Sequence, residues 1–417
     1  MRWYALAVFV FTYVLLSQRR APFFSLDRPT GALLGAALMV AGGVLSVEEA
    51  LRAVDWHTIA LLFGMLVLAA YASEAGAFSW LAERLGAWRR RPRGLLVLLC
   101  LGSGLLSALL LNDTVCLMLT PIVVALSREA GLAPKPFLFG VALSANVGGV
   151  MTFTGNPQNM IVGARSGIGY ARYFLETLPV GLLGLLLTAL WLCWYFRAEL
   201  QAAPEAPRLG EKRAASHPID RALLGKSSVA LCAVVLAFLL GFDLAGSAVF
   251  GAAVLIAFGK REPRPLLERI DWPLLLFFAG LFVVVRGVSA SGLTQDAAGY
   301  VGGLLKTPPG VGVPLFSLAS LVGSNLFSNV PFVLVVSDVL VASPEAGLFW
   351  RALALSATFA GNLTLLGSVA NLIVFEGARE VTEVSFWEYL RVGLPLTLAT
   401  TALGVLSLLS LAWLGWL

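Results

Sequence analysis

Thr154-Gly155-Asn156-Pro157-Gln158-Asn159 lies inside an apolar run, Phe137 to Ala164, that carries no charged residue. As one helix that run would extend about 42 Å at roughly 1.5 Å per residue, more than a bilayer core requires. Gly155 and Pro157 oppose a continuous helix. Two readings stand. In one, two half-helices meet at an unwound polar segment near mid-membrane, where exposed N–H groups and the side chains of Thr154, Asn156, Gln158 and Asn159 suit a small ion. Irregular backbone at that depth must be buried in protein or line a cavity. In the other, a kinked helix has polar groups that satisfy one another.

The rest of the chain supplies the membrane. It is 59% hydrophobic and 13% charged, with a mean hydropathy of +0.86, values outside those of soluble globular domains. The apolar runs are long and continuous rather than alternating, which excludes an outer-membrane barrel. Residues 3–17 read as a retained first span rather than a signal peptide. Cys100, Cys116, Cys193 and Cys232 stand singly, so neither a disulfide framework nor a zinc site is indicated. Cys116, near a polar turn, reads as a small core residue.

Spans are expected at 3–17, 30–46 and 56–73. Gly94 to Ser127 is apolar except for Asp113 and turns at Asn112-Asp113-Thr114, as two crossings or a re-entrant hairpin. The broken span 137–164 and a span at 174–196 follow. The Pro-, Ala- and charge-rich stretch 197–226, with Lys212, Arg213 and His217, reads as a linker between 1–196 and 227–417. The pattern then restarts, with spans at 227–241, 244–259 and 272–289, a second long run at 311–341, and spans at 346–375 and 392–416.

The restart is an internal repeat. At an offset of 216, Asp27 falls on Asp243, Asp55-Trp56 on Asp271-Trp272, Gly64 on Gly280, Gly76 on Gly292, and Asn112-Asp113 on Ser328-Asn329. At an offset of 212, Gly149 falls on Gly361, Thr152 on Thr364, Gly155 on Gly367 and Asn159 on Asn371. Each half holds an odd number of crossings whether or not its long run returns. The second half therefore enters from the opposite face, which predicts an all-α polytopic membrane protein of two inverted repeats, each with a re-entrant hairpin and a broken helix. With loops assigned alternately to two sides, one side holds Arg2, Arg52, Arg165, Arg172 and Lys306, and the other holds the large majority, including Arg19, Arg20 and Arg89-Arg90-Arg91. The basic side is the cytoplasm by the positive-inside rule, with both termini outside. The net charge of +5 thus reports topology, not nucleic-acid binding.

Asp113 is the acid deep inside an apolar run of the first half, a costly position that points to an ion path or a partner. With Asn112 and Thr114 it could bind sodium through oxygens or hold a proton; the bland alternative is a turn cap. The second tip, Asn325, Ser328 and Asn329, is polar without an acid. The second broken span offers Asn362, Thr364, Gly367, Ser368 and Asn371, has no proline, and so breaks with less warrant. Arg286 and Arg351 near span ends read as snorkelling, Glu74 and Asp338 as solvated, and His57 as an interfacial anchor. No clustered His, Asp or Cys marks an enzyme, so no catalytic residue, metal set or cofactor is expected beyond a coupling ion, sodium or proton.

Asn112-Asp113-Thr114-Val115 through Leu119-Thr120-Pro121, Ser144-Ala145-Asn146-Val147-Gly148-Gly149 with the opening hexapeptide, and Ser328-Asn329-Val330-Pro331 resemble the hairpins and first unwound segment of the ion transporter superfamily. Arsenite and antimonite efflux permeases, sodium/proton antiporters and divalent-anion/sodium symporters of the citrate-transporter-like type belong there. The resemblance implies that Asn112, Asp113, Thr114, Ser328 and Asn329 line ion and substrate sites, with Asn146 in the first unwound segment. It further implies elevator-like movement and frequent homodimers. Symporters carry Ser-Asn-Thr at both tips, and this chain does not. The expectation is a secondary transporter in the plasma (inner) membrane for a small inorganic anion or oxyanion, arsenite- or antimonite-like, or alternatively a sodium-coupled dicarboxylate, citrate or sulfate symporter.

Overall fold

The computed structural model describes residues 1–17, 28–201, 219–292, 299, 301–343 and 346–417. Arg19, Arg20, Asp27, Lys212, Arg213 and His217 lie outside the described residues. The described residues are helical, with no strand among them. In the first half run α1 (Arg2–Ser17), α2 (Arg28–Ala41), α3 (Val47–Ala53), α4 (Trp56–Glu74), α5 (Ala77–Gly86), α6 (Pro92–Leu109), α7 (Asn112–Ala130), α8 (Lys135–Gly149), α9 (Pro157–Arg165) and α10 (Tyr170–Tyr195). The second half has α11 (Arg221–Leu239), α12 (Leu244–Phe258), α13 (Pro263–Leu267), α14 (Trp272–Ala290), α15 (Pro309–Phe327), α16 (Asn329–Val341), α17 (Gly347–Ala360), α18 (Val369–Gly377) and α19 (Phe386–Trp413). Among the described residues, α4, α6, α10, α11, α14, α15 and α19 are each long and apolar enough to cross a membrane. The helix α11 begins within the stretch expected as linker, with Asp220 as its cap.

The repeated Asp-Trp pairs are helix starts. Asp55 accepts the Thr58 amide at 3.1 Å and Asp271 the Leu274 amide at 3.0 Å, satisfying N–H groups that the first turn leaves without a helical partner. The following Trp56 and Trp272 are exposed, as interfacial indoles are. Gly76 and Gly292 close α4 and α14 with φ of 82° and 83°, a left-handed turn that costs glycine little. The short helices α3, α5 and α13 were not expected. They follow from local chemistry, such as the reciprocal cap between Ser46 and Glu49.

The halves pack by exchange. Helix α2 lies on α14, and its counterpart α12 lies on α4. A Cβ on Gly280 would sit 2.8 Å from the Ala32 carbonyl carbon, and one on Gly64 2.6 Å from that of Ala248. Both glycines let backbones touch, which is how helices associate tightly inside lipid. The ends of the exchange are tied too. His57, expected as a plain interfacial anchor, pairs with Asp243, the cap of α12.

Candidate functional site

Each long run turns back on itself. Leu110 and Leu111 join α6 to α7, and Ser328 joins α15 to α16. Ser328 has φ 65° and ψ 150°, a region that glycine occupies freely and serine only under strain. Each following span is broken, the second without a proline, so the weaker expectation for that span is corrected. Between α8 and α9 the chain passes through a single 3-10 turn at Phe153–Gly155, and between α17 and α18 through one at Leu365–Gly367.

What holds both breaks open is a matched pair of amides. Asn159 donates through Nδ2 to the carbonyls of Gly149 (3.1 Å) and Thr152 (3.4 Å). Asn371 donates likewise to Gly361 (2.7 Å) and Thr364 (3.1 Å). The half-helices are capped by Asn156, which accepts the Asn159 amide at 2.9 Å, and by Ser368, which accepts the Ala370 amide at 3.2 Å. Gly155 is where the first break folds tightest, since a Cβ there would lie 2.4 Å from the Gly149 carbonyl oxygen.

The two breaks are bonded across the repeats. Asn146 of α8 donates to Asn362 (2.9 Å) and Asn371 (3.1 Å) and accepts from Ser368 (3.1 Å) and from Asn112 of the first tip (2.9 Å). Its counterpart Thr358 of α17 donates to Asn159 at 3.2 Å and accepts from Asn156 at 3.1 Å. Asn325 of the second hairpin donates to the Ala360 carbonyl at 2.8 Å and accepts from Thr364 at 3.0 Å, with Gly367 packed against it. Asp113 reaches the Ala370 amide at the start of α18. The structure therefore brings together Asn112, Asp113, Asn146, Asn156, Asn159, Asn325, Asn362, Thr364, Gly367, Ser368 and Asn371. Gln158 is buried at the start of α9, and Thr114 is half-buried beside Asp113. Thr154 points away, to Thr152 and Tyr170.

Two atoms at the hairpin tips stand out. The side-chain oxygens of Asn112 and Asn329, one at each tip, are buried with no hydrogen-bond partner. An unpaired buried carbonyl costs free energy that a bound donor or cation would recover. Asp113 is the charged member of the network; its other members are amides, hydroxyls and backbone N–H groups at two half-helix starts.

Sequence reasoning passed over Thr358, although the offset of 212 from Asn146 points to it. It also misplaced Arg351, which does not snorkel. Arg351 is 4% exposed and binds Glu176 of α10, itself 5% exposed, with Nη2–Oε1 at 2.9 Å. Glu176 is thus a buried acid of the first half that sequence reasoning passed over. This pair lies about 10 Å along α17 from Thr358 at roughly 1.5 Å per residue, so it stands apart from the amide network. Asp338 and Glu74 are paired rather than simply solvated, with Arg165 and Arg269 respectively. Arg286 is exposed. Cys116 is buried on α7 and unpaired by disulfide.

Comparison with known proteins agrees with this architecture. The family model described as citrate transporter matches residues 10–360. The silicon efflux transporter LSI3 of Oryza sativa subsp. japonica is 34% identical, over 92% of this chain and 93% of that protein. A Dictyostelium discoideum chain bearing the transporter name arsB is 26% identical over 91% of this chain and 87% of its own length. Among solved structures, the Alcanivorax borkumensis YdaH transporter aligns with a TM-score of 0.53 at 17% identity, covering 99% of this chain and 98% of that one, a likeness of fold.

Proposed function

The chain belongs to the citrate transporter family of integral membrane transporters, and from that premise we propose that it carries a small inorganic oxyanion or hydroxylated solute of the arsenite or antimonite kind, coupled to protons or sodium. The observation that carries the reading is the neutrality of the network. Amides, hydroxyls and half-helix N–H groups converge with Asp113 as the charged member, while the nearest buried arginine, Arg351, is already neutralised by Glu176. A multivalent carboxylate would want a free cation beside it. A small polyhydroxy solute finds both donors and acceptors. The names of two relatives, one a silicon efflux transporter and one arsB, support a solute of this size.

In this reading the orphan oxygens of Asn112 and Asn329 are ion ligands at the two tips, and Asp113 is where a proton or sodium couples to transport. Asn112, Asp113, Thr114, Asn146, Asn156, Gln158, Asn159, Asn325, Ser328, Asn329, Asn362, Thr364, Gly367, Ser368 and Asn371 line the path, with Thr154 and Gly155 shaping it. The halves are inverted in the plasma (inner) membrane, with both termini outside. A second reading, a sodium-coupled citrate, dicarboxylate or sulfate symporter, draws on the description of the family model.

The deciding test is thermal stabilisation of the purified protein in detergent by arsenite, antimonite, silicic acid, sulfate, citrate and succinate, each with and without sodium at two pH values. A sodium-independent shift with arsenite or antimonite, changing with pH, supports the proposal. A sodium-dependent shift with citrate or succinate replaces it with the second reading.

A further inference from the structure

Counterparts in the two repeats share bonds but not exposure. Residues Pro157–Val162 of α9 are all buried, whereas Val369 of α18 is exposed and Leu372 and Ile373 are half-exposed. Thr154 is fully buried, while its counterpart Leu366 is 46% exposed. Packing differs in the same sense. Helix α9 lies against α4 and α16 against α14, while α18 has no comparable packing on α14, nor α7 on α4. One end of the molecule is sealed against the framework helices α4 and α14, and the other stands off from them.

At the sealed end sits Arg165, the last residue of α9. It donates to Asp338 (2.7 Å) and Ser337 (2.9 Å) of α16, lies 3.8 Å from Asp55 at the start of α4, and stacks over Phe282 of α14. Ser289 of α14 donates to the other Asp338 oxygen at 2.7 Å. One guanidinium thus joins a half-helix of the first repeat, a hairpin arm of the second, and a framework helix of each. The counterparts of Arg165, Asp338 and Ser289 are Gly377, Ile122 and Ser73, which cannot form such a cluster. Ion pairs at that other end, Glu74 with Arg269 and Lys135 with Glu388, join α4 to the segment before α14 and α8 to α19.

We propose that Arg165 is a bolt holding this end of the transport path shut, so that the resting protein opens toward the opposite face. By the Lys/Arg bias the bolted end is the outer one. The inference rests on the transport reading above and adds to it a preferred resting side. Ile161 lies one helical turn inside Arg165 on the same face of α9 and is 0% exposed, while its counterpart is the half-exposed Ile373.

The test is labelling by a membrane-impermeant maleimide in oriented vesicles, with the four native cysteines replaced by Ala and Ile161→Cys or Ile373→Cys introduced singly. Arg165→Met is expected to raise the rate of outer labelling at Ile161→Cys about tenfold, the size of an ordinary coupling between sites, and to slow labelling at Ile373→Cys. Asp338→Asn, which removes the pair from the other side, should do the same, and Arg165→Lys should stay nearer the wild type. Unchanged labelling of Ile161→Cys in both Arg165→Met and Asp338→Asn overturns the proposal. A rise at both reporter positions together also overturns it, because that reports general loosening. Labelling needs no substrate, so loss of the transport reading would show separately, as absent counterflow in vesicles whose labelling still shifts.

Discussion

Asp113 and the two clamp asparagines do different work, and substitution separates them. Asp113→Asn keeps the shape and removes the charge. It is expected to leave the protein folded and to abolish the dependence of flux on a proton or sodium gradient in proteoliposomes; wild-type gradient dependence would refute the assignment. Asn371→Ala instead frees the carbonyls of Gly361 and Thr364 at the second break. Each buried carbonyl left unpaired costs on the order of 1–3 kcal/mol, so Asn371→Ala should lower the thermal midpoint and lose ligand stabilisation together, and Asn159→Ala should mirror it. Asn156 and Asn159 were legible in the sequence because polar groups beside Gly155 and Pro157 interrupt an uncharged run. Thr358 was not, since a threonine in an apolar helix has no signature of its own until its partner across the repeat is known. Arg351 was misread for a related reason. Position along a span says how deep a side chain starts, and not that Glu176 faces it from α10.

At the scale of elements, the caps make a prediction about acid. Asp243 caps α12 and receives His57, and these hydrogen bonds, that of His57 first and the Gly246 amide next, hold its carboxyl below the usual range. A depressed carboxyl contributes stability above its unfolded-state value, and the contribution is lost as pH falls through the folded one. Asp243→Asn should therefore be less stable than wild type at neutral pH, with the two melting curves converging below about pH 4. The close helix crossings predict steric cost. Gly64→Ala drives a methyl into the Ala248 backbone, and roughly 1–3 kcal/mol of overpacking should appear as a lower thermal midpoint in detergent. The spans were legible because hydropathy marks them, and the Asp-Trp starts because the repeat aligns them. Of the short helices that were missed, α3 depends on the reciprocal cap of Ser46 and Glu49, while α5 and α13 carry no side-chain cap and depend on their neighbours. The second break had no proline to announce it; its cause is Asn371 reaching back to two carbonyls, a contact made by the tertiary fold.

For the whole molecule, the proposed inverted arrangement predicts that single cysteines placed beside Arg52 and beside Lys306 react with an impermeant reagent from the same face, and that one placed beside Arg89 reacts from the other. Reaction of all three from one face would refute it. Which helix of one half meets which helix of the other could not be read from the sequence, because an apolar stripe states that a face is buried and not against what.

The exchanged packing also bears on how the chain is made. The groove that accepts Gly280 is carried by α2 at Ala32, and the one that accepts α12 at Ala248 is carried by α4 at Gly64, so they emerge from the ribosome 248 and 184 residues ahead of the positions that fill them. At roughly 5–20 residues per second, translation leaves these surfaces facing lipid for about 10–50 s. During that interval the nascent first half is a receptor waiting for its other half. The two halves, made as separate polypeptides in one cell, are expected to find each other and assemble, and either one alone is expected to be cleared by membrane proteases.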